Sequence, residues 1–191
     1  MNRNITLLIL TALILNSCKH DFTDKELEIY DNIDVEQLLI FKSDDNVIDT
    51  FKITFKEKYY NNWQPITRDG KYNPPNAIIK YEKLNSNDFK IYNHNQKEFE
   101  DPILFHFRKR SPESKTKISF QFQNFYTEFE QTDTFLKLEQ MTLDNDSSEL
   151  YVFELEKENL KQTDIQKICF SKEFEIMEYE YKNGVQWVRI K

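Results

Sequence analysis

Between residues 117 and 126 the chain alternates without a break. Ile118, Phe120 and Phe122 fall on one side, and Ser119, Gln121 and Gln123 on the other. Strand side chains point to opposite faces with a period of two, so this run makes one apolar and one wetted face and reads as a half-buried β-strand. The same kind of run recurs along the chain with polar turn residues in between. Residues 37–43 and 47–56 flank Asp44-Asp45-Asn46 and predict a hairpin. Residues 77–83, 89–92, 103–108, 134–143 and 150–156 are further candidate strands. Near the end, residues 165–170, 174–181 and 185–190 form three more, the last two joined by Asn183-Gly184. Both residues of that pair tolerate positive φ, which predicts a type I′ turn. Residues 61–76 read as a long loop, 144–148 as a turn-rich connection and 159–163 as a connection with at most one helical turn.

No long amphipathic helix competes with this pattern. Alanine occurs only as Ala12 and Ala77 and glycine only as Gly70 and Gly184, whereas phenylalanine, tyrosine and isoleucine are abundant. That balance favours strands over helices. The expected fold is all-β: an antiparallel meander of about ten strands, arranged as a half-closed barrel or a sandwich, occupying residues 33–191. A domain of this size can bury a genuine core. The aromatic groups Phe120, Phe122, Phe125, Tyr126, Phe129 and Tyr179, Tyr181, Trp187 are expected to form it. The alternative is that they line an apolar cavity or groove.

The N-terminus carries a different signal. Arg3 is the only charge before Cys18, and residues 5–15 (ITLLILTALIL) are apolar apart from two threonines. A positive start followed by about 7–15 apolar residues is a secretory signal. It falls short of the roughly 20 residues a membrane-spanning helix needs. The run closes on Leu15-Asn16-Ser17-Cys18, which resembles the lipobox of bacterial lipoprotein precursors. The resemblance implies that residues 1–17 are removed and that Cys18, through its thiolate, carries a diacylglyceryl group as the new N-terminus. Residues 18–32, polar and charged, are then expected to be a tether, with one short helical turn near 25–30. Ser171 to Trp187 (SKEFEIMEYEYKNGVQW) resembles a segment of small Bacteroidetes-type lipoproteins that closes an antiparallel sheet; that resemblance implies fold and delivery and no activity.

Removing residues 1–17 takes away only Arg3 and moves the formal charge from −7 to −8. So acidic a chain is not expected to bind nucleic acid, which selects for a basic face. With Cys18 acylated, Cys169 has no intramolecular disulfide partner and reads as a small buried hydrophobe.

Recognisable chemistry is sparse. Two glycines cannot make a phosphate loop, and G-x-S-x-G does not occur. His20, His94 and His106 are far apart and lie outside any zinc spacing. Asp144-Asn145-Asp146 is faintly similar to a calcium loop, but Glu149 and Leu155 stand where the glycine and the closing carboxylate belong. It reads as a β-turn. Glu173, Glu175, Glu178 and Glu180 read as a solvated strand face. Arg108-Lys109-Arg110 with Lys115 and Lys117 is the one basic patch, flanking Ser111-Pro112-Glu113-Ser114 as a charged hairpin tip, where contact with lipid headgroups is one alternative. No catalytic residue, metal ligand or cofactor site is expected; the one site residue is Cys18, for lipid attachment. The expectation is a non-enzymatic envelope lipoprotein, held to the outer rather than the inner membrane by its lipid, that binds a protein or an apolar ligand. The competing expectation is a protective, immunity-type lipoprotein acting against an exported toxin.

Overall fold

In a computed structural model of the chain, residues 20–60, 74–84, 91–92, 98–99, 102–131, 137–143, 146–155 and 160–190 are described. Among the described residues one short helix precedes the strands: α1, Asp24–Asp31. The strands are β1 Leu38–Ser43, β2 Ile48–Tyr60, β3 Pro75–Lys83, β4 Ile91–Tyr92, β5 Glu98–Phe99, β6 Ile103–Arg108, β7 Lys117–Phe122 and β8 Phe125–Glu130. They continue with β9 Lys137–Leu143, β10 Asp146–Glu154, β11 Ile165–Phe170, β12 Ile176–Tyr181 and β13 Gln186–Arg189. Eleven of them form one sheet in the order β8-β7-β6-β3-β2-β1-β13-β12-β11-β10-β9, while β4 and β5 pair separately. Every pairing is antiparallel.

Two meanders thus meet where the first and last strands pair, with Phe41 opposite Arg189. The sheet curls into a half-barrel, so that its two halves face each other. Phe120 of β7 meets Phe170 of β11 at 5.0 Å, and Phe129 of β8 meets Phe153 of β10 at 5.3 Å. Between the halves lies an aromatic core: Phe41, Phe51, Phe105, Phe107, Phe120, Phe122, Phe125 and Tyr179 are all at most 1% exposed. Of the aromatic residues expected there, Tyr126 instead stands part-exposed on the outer face beside Glu128 and Ser119, because strand alternation turns it away from Phe125. Phe122 is its hub, with the rings of Phe41, Phe51, Tyr81 and Tyr179 at 4.8–6.0 Å. A cavity of about 10 Å³ beside Phe105 and Phe174 has room for roughly one water. Cys169 is buried, as a small hydrophobe is expected to be, and forms no disulfide among the described residues.

Several expectations are corrected. The tether was expected to run to residue 32, but Phe22 is already part of the packed core. Thr23 caps α1, and Leu27, Ile29 and Tyr30 turn inward. Tyr30 packs edge-on to Phe107 at 6.0 Å and lies under Lys56 Nζ. The helix is too short to persist alone and is held by this burial. The alternating run 117–126 breaks at Gln123-Asn124 and folds back as the β7–β8 hairpin, with Gln123 at φ 51°. Leu143 pairs with Asp146, so Asp146, Ser147 and Ser148 belong to β10 and the connection is shorter than expected. Pro75 and Asn76, expected in a loop, open β3.

The last hairpin has a different turn from the one expected. Gly184 is at φ 84°, but Asn183 has no positive φ. Gly184 N–H donates to Tyr181 O, and Tyr181 N–H donates to Val185 O. This is a three-residue loop with a left-handed closing residue, the next commonest hairpin after the two-residue types. The β1–β2 loop repeats it with Asn46 at φ 63°, and the β11–β12 loop with Phe174 at φ 62°. At that third turn Glu175 is an ordinary residue, and the aromatic before it takes the left-handed position.

Candidate functional site

The basic run folds as the β6–β7 hairpin, and its tip is stapled by Ser114 Oγ, which donates to Ser111 O and accepts from Ser111 N–H. Strand alternation divides the cations between the two faces of the sheet. Arg108 and Lys117 stay on the outer face, where both reach Glu128; the Arg108 Nη2 contact is 2.6 Å. Lys109 turns inward and is buried, with Nζ 2.9 Å from Glu26 Oε2 of α1. Arg110 and Lys115 at the tip are exposed.

These cations line an open cavity of about 430 Å³, closed on its other sides by Pro74 and Asn76 of the β3 end and by Glu130 of β8. Asn76 is 4% exposed. Its Nδ2 donates to Pro74 O and its Oδ1 lies 3.2 Å from His106 Nε2, which fixes the wall. Burial, aided by the Arg108 charge, holds His106 down to about 4, so it stands there as neutral imidazole. Burial raises the Glu128 carboxyl, but hydrogen bonds from Lys117, Tyr126 and Ser119 outweigh it and hold the group at about 2. Glu128 is therefore a fixed counter-charge. Arg108 Nε, by contrast, is buried and has no acceptor among the described residues.

The first turn of α1 is bound to the base of this hairpin. Glu26 Oε1 accepts from Thr116 Oγ1 at 2.8 Å while Oε2 accepts from Lys109 and from Thr23 N–H. Gln131 Nε2 donates to Lys25 O. Asp21 accepts from the Tyr60 hydroxyl at the end of β2. The chain thus enters the fold at the rim that carries the cationic cavity.

A second charged cluster is internal. Asp49 is 7% exposed, accepts from Lys83 Nζ at 2.6 Å and lies 3.3 Å from the Tyr179 hydroxyl. Burial, with Tyr181 and Asp49 nearby, raises the Tyr179 hydroxyl, so it remains a donor. This cluster is a satisfied ion pair inside the sheet.

Cys18, His94 and the Asp144-Asn145 pair lie outside the described residues. Among the described residues, no three His, Cys, Asp or Glu side chains form a metal-holding group. The four glutamates do not form the solvated strand face expected of them: Glu173 and Glu175 precede β12, Glu178 is buried, and Glu175 takes hydrogen bonds from Gln37 and Arg189. Sequence reasoning found the cations but missed Asn76, Glu130 and the inward turn of Lys109. One overlooked signal was present: Thr23-Asp24-Lys25-Glu26 spells a capping box before an apolar residue. No protein-family model matches this chain, and neither curated proteins nor solved structures show a significant match to it.

Proposed function

We propose that the chain is a lipid-anchored lipoprotein of the bacterial cell envelope, and that its half-barrel is a non-enzymatic binding module whose recognition face is the cationic rim. The observation that carries this reading is the lock between α1 and the β6–β7 hairpin through Glu26, Lys109 and Thr116. Cys18 precedes Thr23 by five residues, a span of at most about 18 Å when extended. An acyl group on Cys18 would therefore hold the rim close to the bilayer. Two or more acyl chains give stable anchoring. The ring-filled interior supports recognition on the outer surface in preference to an enclosed apolar ligand.

The test is metabolic fatty-acid labelling with membrane fractionation of the wild type and Cys18→Ala. The wild type should take up label and sediment with membranes, and the variant should do neither. A variant that still carries label would refute the anchor.

A further inference from the structure

We propose that the cavity at the β6–β7 rim binds a phosphate group, presented as a phosphomonoester or a phosphodiester. Five cations line or back it, namely Arg108, Lys109, Arg110, Lys115 and Lys117. Four carboxylates stand against them: Glu26, Glu128 and Glu130, and Glu113 at the exposed tip. One positive charge is left in excess, in a chain whose formal charge is −7. Concave sites lined by one sign of charge focus the field and raise the local concentration of the opposite ion.

The donors have a definite arrangement. Arg108 spends Nη2 on Glu128 and Ser119, while its buried Nε has no acceptor among the described residues. Arg110 and Lys115 are exposed at the mouth and have no carboxylate partner among the described residues. A guanidinium fork and mobile ammonium groups around one space suit a tetrahedral oxyanion with several acceptor oxygens. Asn76 and the stapled Ser111–Ser114 tip hold the walls, so the site exists before the ligand arrives. The binding chemistry stands on this geometry alone. Its exposure to a bilayer, and hence a lipid headgroup as the source of the phosphate, rests on the anchored reading above.

The full chain in neutral detergent is titrated calorimetrically with inorganic phosphate at constant ionic strength. A parallel arm replaces phosphate with micelles doped with phosphatidylglycerol, and a control uses phosphatidylcholine. Arg110→Ser, Lys115→Ser and the double variant are compared, with melting temperature as the folding check. Saturable phosphate binding is expected, weakened roughly tenfold or more by each substitution, with the fold intact. Competition between phosphatidylglycerol and phosphate would identify a headgroup as the source. Phosphate binding without such competition would assign the site to a soluble phosphate compound. No saturable phosphate binding, or equal binding by the double variant, would overturn the proposal. Neither result bears on fatty-acid labelling of Cys18, so failure of this site and failure of the anchor can be told apart.

Discussion

Replacing Glu26 by alanine tests the way the helix is held to the rim. The carboxylate accepts from Thr23 N–H and Thr23 Oγ1, from Thr116 Oγ1 and from Lys109 Nζ, all within 3.0 Å. The Lys109 side chain is only 7% exposed and Glu26 only 17%. Truncation would leave a buried ammonium with no partner, which costs about 3–5 kcal/mol when the pair is fully dry. The lower end applies here because Glu26 keeps some solvent contact, and loss of half the capping box adds about 1 kcal/mol. The expected total of about 4 kcal/mol is a large share of the roughly 5–15 kcal/mol that holds a domain folded. Urea unfolding of the full chain measures it, in a cycle with Lys109→Met. The alanine variant should cost markedly less once Lys109 is methionine, since no charge is then stranded. A cost for Glu26→Ala below about 1 kcal/mol, or one unchanged by Lys109→Met, would refute the reasoning. The acid limb follows the same logic. Burial raises the Glu26 carboxyl, but hydrogen bonds from Lys109, Thr23 and Thr116 bring it below its usual 4.5. The contribution is therefore present above pH 4.5 and is lost as pH falls through the lower folded value.

Phe122→Ala removes the hub of four ring contacts and should cost about 3–5 kcal/mol in the same unfolding assay; a loss under about 1 kcal/mol would show the core collapsing onto the gap. A Cβ at Gly184 meets nothing within 4 Å, so Gly184→Val should act through φ alone and cost about 1–2 kcal/mol, and an unchanged melting temperature would contradict the left-handed turn. The His106 ring should titrate by NMR near pH 4 and not near 6.5. Because the folded value is depressed, the unfolded chain takes the proton first, and stability is lost as pH falls from 6.5 towards 4; a midpoint above 6 would rule out the buried neutral imidazole.

Strand faces and turn sites were legible because their causes are local. The alternation of Ile118, Phe120 and Phe122 assigns inside and outside whatever lies opposite, and Asp44-Asp45-Asn46 and Asn183-Gly184 mark turns through residues that accept positive φ. Two other turns carry no such mark. Phe174 and Gln123 hold positive φ because distant partners secure them: the Phe174 ring stacks on Tyr151 at 5.1 Å, and Gln123 N–H donates to the Tyr81 hydroxyl while its side chain accepts from Tyr181. Strain of that kind persists only where the surrounding structure over-determines it.

The candidate site divides along the same line. Its cations stand in one stretch of sequence, and their signs alone made a charged tip. Whether they surround a space depended on Asn76 from β3 and Glu130 from β8, brought to one rim by pairings between residues far apart in the chain. By itself the sequence determined strand character, the apolar face of the 117–122 run, several turn positions and the lipobox-like N-terminus, all properties of neighbouring residues. Only the tertiary structure decided that β1 pairs with β13, that the supposed tether is a docked helix and that Lys109 is buried while Arg110 faces solvent. Those outcomes turn on which distant surfaces meet and on which buried charges find partners, and local periodicity carries no information about either.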